Sequence, residues 1–249
     1  MNFSELFGNA QWVTCDSGCT SPVIKGGFFI EEPKQAEITI CGLGFFRVWI
    51  NGREVSEDKF VPVNSQYCKR DLTAFEYPIL DALSYRTYAV RYDISEFVVD
   101  GKNDIRVILG CGWFAQQKRS AEGFAKYGDI KLCYKIDVEN KSGKKYALVS
   151  DESLEWKQSR ITENNIYFGE VHDMSLADEL TANSGFQNVI KAPAHETQFF
   201  VQDCPADRVE RVIKPAKLFD LGEVSIYDMG ENISGYPVVA ATVDGANIT

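Results

Sequence analysis

Apolar and polar residues alternate over short stretches of this chain, which is the pattern of half-buried β-strands. In one such stretch Ala36, Ile38 and Ile40 are apolar, while Glu37 and Thr39 between them are polar. Because successive side chains of a strand point to opposite faces, the three apolar residues are predicted to face the core.

The cleanest alternation runs from Ile130 to Val138, where every second residue is apolar. Lys131, Lys135 and Asp137 occupy the positions between them and are expected to face the other way. A polar turn then leads to Tyr146–Val149, so the two stretches predict a hairpin.

Asn51-Gly52 separates Phe45–Ile50 from Arg53–Val55. This dipeptide is typical of a type I′ turn, whose two central residues both need a positive φ. Together with the preceding strand it predicts a hairpin from Ala36 to Val55.

Two further strands are predicted at Tyr85–Tyr92, with Tyr88, Val90 and Tyr92 on a common face, and at Ile105–Leu109. Only Met174–Leu180 shows a helical period. Many short strands separated by Gly, Asn and Pro turns favour an all-β fold, a jelly-roll-like β-sandwich similar to galactose-binding domains.

The domain organisation is expected to change near residue 192. Residues 1–29 are expected to pack on or extend the sandwich, residues 30–191 to form it, and residues 192–249 to be a connector and the start of a second β-domain. Three prolines mark the connector, and Phe219–Tyr227 and Gly235–Val243 resemble new strands. Since the chain stops just after a turn at Asp244-Gly245, we expect a fragment of a longer protein.

Charge and cysteine usage exclude several classes of protein. The net charge of -10 and the pI near 4.8 disfavour nucleic-acid binding, which depends on Lys and Arg. Neither a signal-peptide pattern nor an apolar run long enough to span a bilayer is found, so a cytoplasmic protein without a membrane partner is expected. Seven scattered cysteines suit reduced core thiols, and the Cys15–Cys19 spacing lacks a second pair that would indicate zinc.

Candidate ligand-binding residues cluster in two loops. Trp113 and Phe114 follow directly after a strand, where aromatic rings could stack on sugar C–H faces or plug the end of the core. The long polar stretch from Phe114 to Lys126 favours a loop that contacts a ligand. Further candidates are the aromatic, amide and carboxylate side chains of Tyr127, Asp129, Asn165, Glu170 and Asp173.

The polar candidates have an alternative, structural interpretation, because Asn, Asp and Glu also fix turns. His172 is interpreted as an exposed polar residue. Neither a Ser-His-Asp nor a Cys-His arrangement is indicated, and Gly42-Leu43-Gly44 opens a strand rather than a phosphate-binding helix. No catalytic residue is therefore predicted.

Several segments, in this order, resemble the N-terminal β-domains of bacterial α-L-rhamnosidases. The resemblance covers roughly residues 30 to 245 and rests on AEITICGLGFFRVWINGREV, VPVNSQY, RTYAVRYDIS, LGCGWF, YGD, YFGEVHDM and IYDMGENISGY. It implies a longer, inverting glycoside hydrolase that removes terminal L-rhamnose.

In that family the catalytic acid and base lie in a downstream (α/α)6 barrel. An inverting mechanism needs two carboxyl groups about 6.5 to 9.5 Å apart, and this strand-patterned chain has no room for the barrel that carries them. The resemblance therefore implies a non-catalytic accessory domain that needs no cofactor, partners the downstream catalytic domain and binds an L-rhamnose-containing carbohydrate.

Some members of the family bind rhamnose through Ca²⁺ in such a β-domain, which makes Ca²⁺ a candidate ligand here. Its ligands cannot be matched to this sequence, and the metal-binding residues stay unknown. A purely structural packing module without a ligand is the alternative.

Overall fold

A computed structural model describes residues 1–16, 18–69, 85–116, 126–176, 178, 180–222 and 224–238. Within these ranges the chain forms one short helix and seventeen strands. Their bounds are α1 Phe3–Phe7, β1 Val13–Thr14, β2 Pro22–Ile30, β3 Pro33–Leu43, β4 Phe45–Ile50, β5 Arg53–Glu54, β6 Arg86–Asp93, β7 Gly101–Gly110, β8 Lys131–Asn140, β9 Lys145–Val149, β10 Glu155–Gln158, β11 Ile161–Asn165, β12 Gly169–His172, β13 Gln187–Asn188, β14 Ile190–Lys191, β15 Gln198–Val201, β16 Lys217–Asp220 and β17 Ser225–Asp228.

Most strands belong to two sheets. The first sheet has the order β14-β1-β8-β3-β6-β15, with β9 also paired to β8, and the second has the order β13-β10-β2-β7-β4-β5. Neighbours are antiparallel except β15 and β6, which are parallel. The all-β, sandwich-like fold expected from the sequence is confirmed.

The core lies between the two sheets, because one continuous cluster contains buried residues from both. Ile38 and Ile40 of β3 contribute from the first sheet, and Ile105 and Val107 of β7 contribute from the second; each side chain is at most 1% exposed. Burying a side chain of this size stabilises the fold by about 1.5 to 3 kcal/mol. The alternation predicted from Ala36 to Ile40 therefore marks the core face correctly.

The predicted hairpin from Ala36 to Val55 is wrong in one respect. The tight turn is confirmed, with φ of 51° at Asn51 and 74° at Gly52, and it joins β4 to β5. However, β3 pairs with β6 and β8 in the first sheet, whereas β4 pairs with β7 in the second. The chain crosses between the sheets at Gly44, whose φ of +123° an L-residue rarely adopts.

The predicted hairpin from Ile130 to Val149 is confirmed as β8 and β9. The two strands are antiparallel, and their pairing extends from Lys135 opposite Val149 to Glu139 opposite Lys145. Lys131 faces away from the alternating apolar residues of β8, as expected, but is only 8% exposed. Its ammonium donates a hydrogen bond to the Pro193 carbonyl at 2.8 Å, which compensates in part for the loss of hydration.

The helical interpretation of Met174–Leu180 finds no support among its described residues, which form turns. Residues 177 and 179 lie outside the described part of the chain. The helix that does form, α1, begins with a capping box: the Asn2 side chain accepts from the Glu5 amide, and the Glu5 carboxylate accepts from the Asn2 amide.

The chain divides into two compact units, residues 1–207 and residues 208–249. The first contains both sheets. In the second, the single strand predicted at Phe219–Tyr227 is wrong, because the Leu221 amide bonds to the Val224 carbonyl and turns the chain from β16 into β17. Of the strand predicted at Gly235–Val243, residues 235–238 are not extended in a sheet, and residues 239–249, with the predicted turn, lie outside the described range.

The domain boundaries expected near residues 30 and 192 stay a prediction. All seven cysteines are free thiols in the described structure, but the expectation that they lie in the core is wrong for Cys68 and Cys204, which are exposed. Among the described helices, none is long and apolar enough to cross a membrane.

Candidate functional site

Trp113 lies where the chain leaves β7, and its side chain is half-buried. The indole meets the Tyr167 ring edge-on, with centroids 6.2 Å apart. Tyr167 and the adjacent Phe168 are 47% and 63% exposed. We call Trp113, Tyr167 and Phe168 together the Trp113 surface. Whether Trp113 stacks on a sugar or closes the end of the core stays a prediction.

Asn164 holds that surface together. Its side-chain amide donates to the Thr20 carbonyl at 2.9 Å and to the Ser21 hydroxyl at 3.0 Å, and its oxygen accepts from the Cys111 amide at 2.6 Å. β11 is thereby fixed to the segment that carries Trp113. Its neighbour Asn165 is the residue predicted to bind a ligand, and nothing in the local sequence indicates that Asn164 has this structural role.

Phe114 lies in the interior rather than on that surface, and the half-buried Tyr127 packs against it. Phe114 is 2% exposed and stacks on Tyr127 at 6.1 Å, and both rings contact Tyr67 at 5.2 Å. The Phe114 ring also meets His195 edge-on at 5.3 Å. A sugar cannot reach the face of Phe114 in this arrangement. The stretch 117–125 of the predicted ligand-contacting loop lies outside the described residues.

Asp129 borders a small cavity of about 110 Å³, lined also by Cys15, Cys19 and Cys111. Its carboxylate accepts from the Lys126 ammonium at 2.6 Å. A hydrogen bond from Cys19 lowers the pKa of the Cys15 thiol, while the same bond and burial raise the pKa of Cys19. These are thiols of unequal acidity at one cavity.

Asn165, Glu170 and Asp173 all have local partners. The Asn165 side chain accepts from the amides of Tyr167 and Phe168, as expected of a turn residue. Glu170 bonds to the ring of His172, which is exposed as predicted. Asp173 accepts from the hydroxyl and amide of Ser175, and these bonds lower its pKa.

A larger cavity of about 370 Å³ lies elsewhere in the first unit, next to α1. Phe3, Trp12 and Phe199 give it apolar walls, and Gln11 and His195 give it polar ones. In the described part of the protein, three buried polar atoms on these residues have no hydrogen-bond partner: Gln11 Oε1, Trp12 Nε1 and His195 Nε2. We call it the Trp12 cavity.

His195 is uncharged at neutral pH. Burial, and then the positive charge of Lys131, lower its pKa to about 4. The neutral imidazole can act as a hydrogen-bond donor or acceptor at Nε2, depending on its tautomer.

Gln11, Trp12 and His195, which line the Trp12 cavity, are not among the residues predicted from the sequence. The capping box and the apolar spacing of Phe3, Leu6 and Phe7 could have revealed α1. Nothing local predicts that Trp12 and His195 meet, because they are distant in sequence and come together only where β1 pairs with β14.

Within the described ranges, no group of three or more His, Cys, Asp or Glu side chains is arranged to hold a metal ion. Ca²⁺ binding stays a prediction.

Two facing sheets place the chain among the all-β sandwich domains. A family model described as the α-L-rhamnosidase N-terminal domain matches residues 31–214. The chain therefore belongs to the family of α-L-rhamnosidase N-terminal domains, as its sequence motifs indicated.

Two α-L-rhamnosidases of Formosa agariphila are 29% and 25% identical to this chain, over 219 and 215 residues. The matches cover 83% and 82% of this chain but only 21% of each relative. The chain thus spans about a fifth of the length of these curated relatives.

Two solved α-L-rhamnosidase structures also match nearly the whole of this chain with about a quarter of their own length. An α-L-rhamnosidase from Dictyoglumus thermophilum superposes with a TM-score of 0.72 at 25% identity, over 93% of this chain and 26% of the other. The Aspergillus terreus enzyme superposes with a TM-score of 0.79 at 21% identity, over 94% and 27%. The latter likeness shows the fold alone.

Proposed function

We propose that this chain is a non-catalytic accessory domain of an α-L-rhamnosidase, a glycoside hydrolase that releases terminal L-rhamnose, and that it binds carbohydrate. The observation that carries the proposal is the family match over residues 31–214 in a chain that spans a fifth of its relatives. The catalytic carboxyl pair belongs to a downstream domain of the longer protein, which acts in the cytoplasm.

The Trp113 surface supports a binding role. Tyr and Trp rings offer apolar faces to sugar C–H groups together with a polar group that can hydrogen-bond to hydroxyls. Exposed aromatic residues that follow one another in the chain, as Tyr167 and Phe168 do, can contribute to an interaction site. Asn165, Glu170 and Asp173 supply hydrogen-bonding groups on the same or the following segment.

A purely structural module is the second candidate, and specific contacts favour it. Phe114 is buried beneath the half-buried Tyr127, and each polar candidate already has a protein partner. In that case the domain packs against its catalytic neighbour and binds no sugar.

Calorimetric titration of the chain with L-rhamnose separates the two candidates. We expect saturable heat and a rise in melting temperature, measured once with Ca²⁺ and once with a chelator to test the calcium prediction. An absence of heat and of any thermal shift in both conditions would rule out carbohydrate binding.

The non-catalytic role has a separate test. Incubated with an aryl α-L-rhamnoside, the 249-residue chain should release no aryl alcohol, whereas a longer protein that includes the downstream domain should. Turnover by the chain alone would overturn the accessory role.

A further inference from the structure

Three of the seven cysteines lie at one small cavity. Cys15, Cys19 and Cys111 line it together with Lys126 and Asp129, and its volume is about 110 Å³. The side chains of Cys15 and Cys19 are hydrogen-bonded to each other. Two neighbouring thiols can be converted to a disulfide within one chain, a reaction that a single thiol does not offer.

A tight turn brings the Cys15 and Cys19 thiols together. The Cys19 amide donates a hydrogen bond to the Asp16 carbonyl at 3.3 Å, so the chain reverses its direction between the two cysteines. Gly18 has a φ of +98°, a left-handed conformation that L-residues rarely adopt. The backbone thus already has the course that a short disulfide loop needs.

Access to solvent distinguishes this pair from a second pair of neighbouring thiols. Cys41 and Cys133 lie opposite each other on β3 and β8 and are also hydrogen-bonded, but both are 0% exposed. Cys19 is only half-buried, and the cavity that it lines has the exposed Asp129 at its edge. An oxidant dissolved in water therefore reaches the Cys15–Cys19 pair more easily than the other pair.

The size of the cavity selects the oxidant. Cys15 is 7% exposed, so a molecule that reacts with its sulfur has to enter the cavity of about 110 Å³. One water molecule occupies about 30 Å³ in the liquid. Hydrogen peroxide has one oxygen atom more than water and fits this space, whereas a peptide disulfide does not.

The hydrogen bond between the two thiols also sets their roles. It lowers the pKa of Cys15 and raises the pKa of Cys19. The thiolate is the form that attacks an oxidant, and redox-sensing sites combine a cysteine of low pKa with a second cysteine beside it. Cys15 is thus the attacking residue, and Cys19 is the residue that completes the disulfide.

We propose that Cys15 and Cys19 form a reversible disulfide in response to hydrogen peroxide and are a redox modification site of this domain. The Cys15 thiolate attacks one peroxide oxygen and breaks the O–O bond, which leaves a sulfenic acid and releases hydroxide. The Cys19 sulfur then attacks the Cys15 sulfur, the S–O bond breaks, and a second hydroxide leaves. The two thiol protons convert both hydroxides to water, so two thiols and one peroxide give one disulfide and two water molecules.

The folded domain can accommodate this disulfide. In the reduced protein the Cys19 thiol donates to Gln158 Oε1 of β10 at 3.3 Å, and a disulfide has no proton for that bond. Gln158 Oε1 keeps the Thr20 amide as a donor at 3.4 Å, so β10 stays attached to this segment. The modification does not depend on the proposed function and goes beyond it.

Limited oxidation of the 249-residue chain with hydrogen peroxide tests the proposal. Free thiols are alkylated after denaturation, and the tryptic peptides are identified by mass spectrometry. Because no Lys or Arg precedes Lys25, both cysteines lie in the peptide Met1–Lys25. We expect this peptide to escape alkylation and to be lighter by two hydrogen atoms than its dithiol form, and dithiothreitol to restore both thiols. If both thiols still react with the alkylating agent after oxidation, the proposal fails.

The other cysteines provide controls in the same digest. Cys41, Cys133 and Cys111 lie in three further tryptic peptides, so any bond that they form appears as a cross-link between peptides. We expect no such cross-link. A bond from Cys111 to Cys15 or Cys19 would show that the pairing is wrong, and a Cys41–Cys133 bond formed equally fast would show that the cavity does not direct oxidation; either result overturns the proposal.

Three serine variants separate the roles of the thiols. Cys19→Ser should accumulate a sulfenic acid on Cys15, trapped with dimedone, because no neighbouring thiol completes the disulfide. In Cys15→Ser the trapping rate at Cys19 should be about tenfold lower, since Cys19 is the less acidic thiol. Cys111→Ser, from the same cavity, should form the disulfide as the wild type does. Equal trapping rates in the first two variants would contradict the role of Cys15. Circular dichroism melts identify any variant that fails to fold, in which case the wild-type digest decides.

Discussion

Individual residues show most clearly where sequence and structure agree. Alternation identified the buried faces of β3 and β8 because a strand's side-chain period depends only on local geometry. Asn51-Gly52 identified its turn for the same reason. Whether an aromatic or amide side chain contacts solvent, the core or a ligand depends on residues far away in the chain. The burial of Phe114 and the anchoring role of Asn164 were therefore not predicted.

Asn164 should be worth more to stability than its neighbour. Asn164→Ala removes three hydrogen bonds and leaves the Cys111 amide and the Thr20 carbonyl without this partner. We expect a loss of about 2 to 4 kcal/mol in the free energy of unfolding. Asn165→Ala, in an exposed turn, should lose less than about 1 kcal/mol. Urea denaturation checks both, and equal losses would contradict the anchoring role of Asn164.

His195 should make stability depend on pH. Its pKa is about 4 in the folded chain against 6.5 ordinarily, so the unfolded chain binds more protons between these values. Stability is therefore expected to fall as the pH drops from 6.5 towards 4, an effect added to that of the other titrating groups. Burial is the main cause, and the Lys131 ammonium, held at the Pro193 carbonyl, adds to it.

One variant measures this contribution. His195→Gln should show a smaller drop in melting temperature between pH 7.5 and pH 5 than the wild type. The idea fails if His195→Gln and the wild type lose the same number of degrees.

At the scale of elements, the sequence predicted the positions of strands better than it predicted which strands pair with each other. Ala36–Ile40 and Phe45–Ile50 are both strands, but consecutive strands need not pair, and the crossing at Gly44 sends them to different sheets. The same limit applies to Phe219–Tyr227, where a turn at Gly222 divides one apolar run into two strands. Alternation carries no information about pairing across the chain.

Gly44 should tolerate no side chain. A Cβ there would lie 2.1 Å from the Gly110 carbonyl oxygen, in addition to the cost of a φ of +123°. Gly44→Ala is expected to cost about 3 kcal/mol or more in unfolding free energy, because backbone would have to move in both sheets.

Gly52 is the matched control for that substitution. Its φ of +74° is also positive, but a Cβ would meet nothing within 4 Å. Gly52→Ala should therefore cost only about 1 to 2 kcal/mol, the penalty of the left-handed conformation. Chemical denaturation of both variants compares the costs, and similar values would show that the sheet crossing is not tightly packed.

At the scale of the whole molecule, the all-β class and the family followed from the sequence because they rest on many short patterns in order. The position of the larger cavity did not, since the Trp12 cavity is assembled from the first residues of the chain and from the segment that follows β14. Such a cavity exists only once the first sheet has formed. Ordered motifs can thus identify a domain while leaving its ligand contacts undetermined.

The first unit should fold without the second. Every residue of the main core cluster lies within residues 1–207, including Phe199 of β15, which packs on Phe3 and Phe7. A chain that ends at Asp207 should therefore unfold cooperatively at the same guanidinium concentration as the full chain, monitored by tryptophan fluorescence. A chain that ends at Thr197 lacks β15 and should be markedly less stable, because the loss of Phe199 exposes Phe3, Phe7 and Trp12. An unfolded or strongly destabilised 1–207 chain would mean that the second unit contributes to the stability of the first.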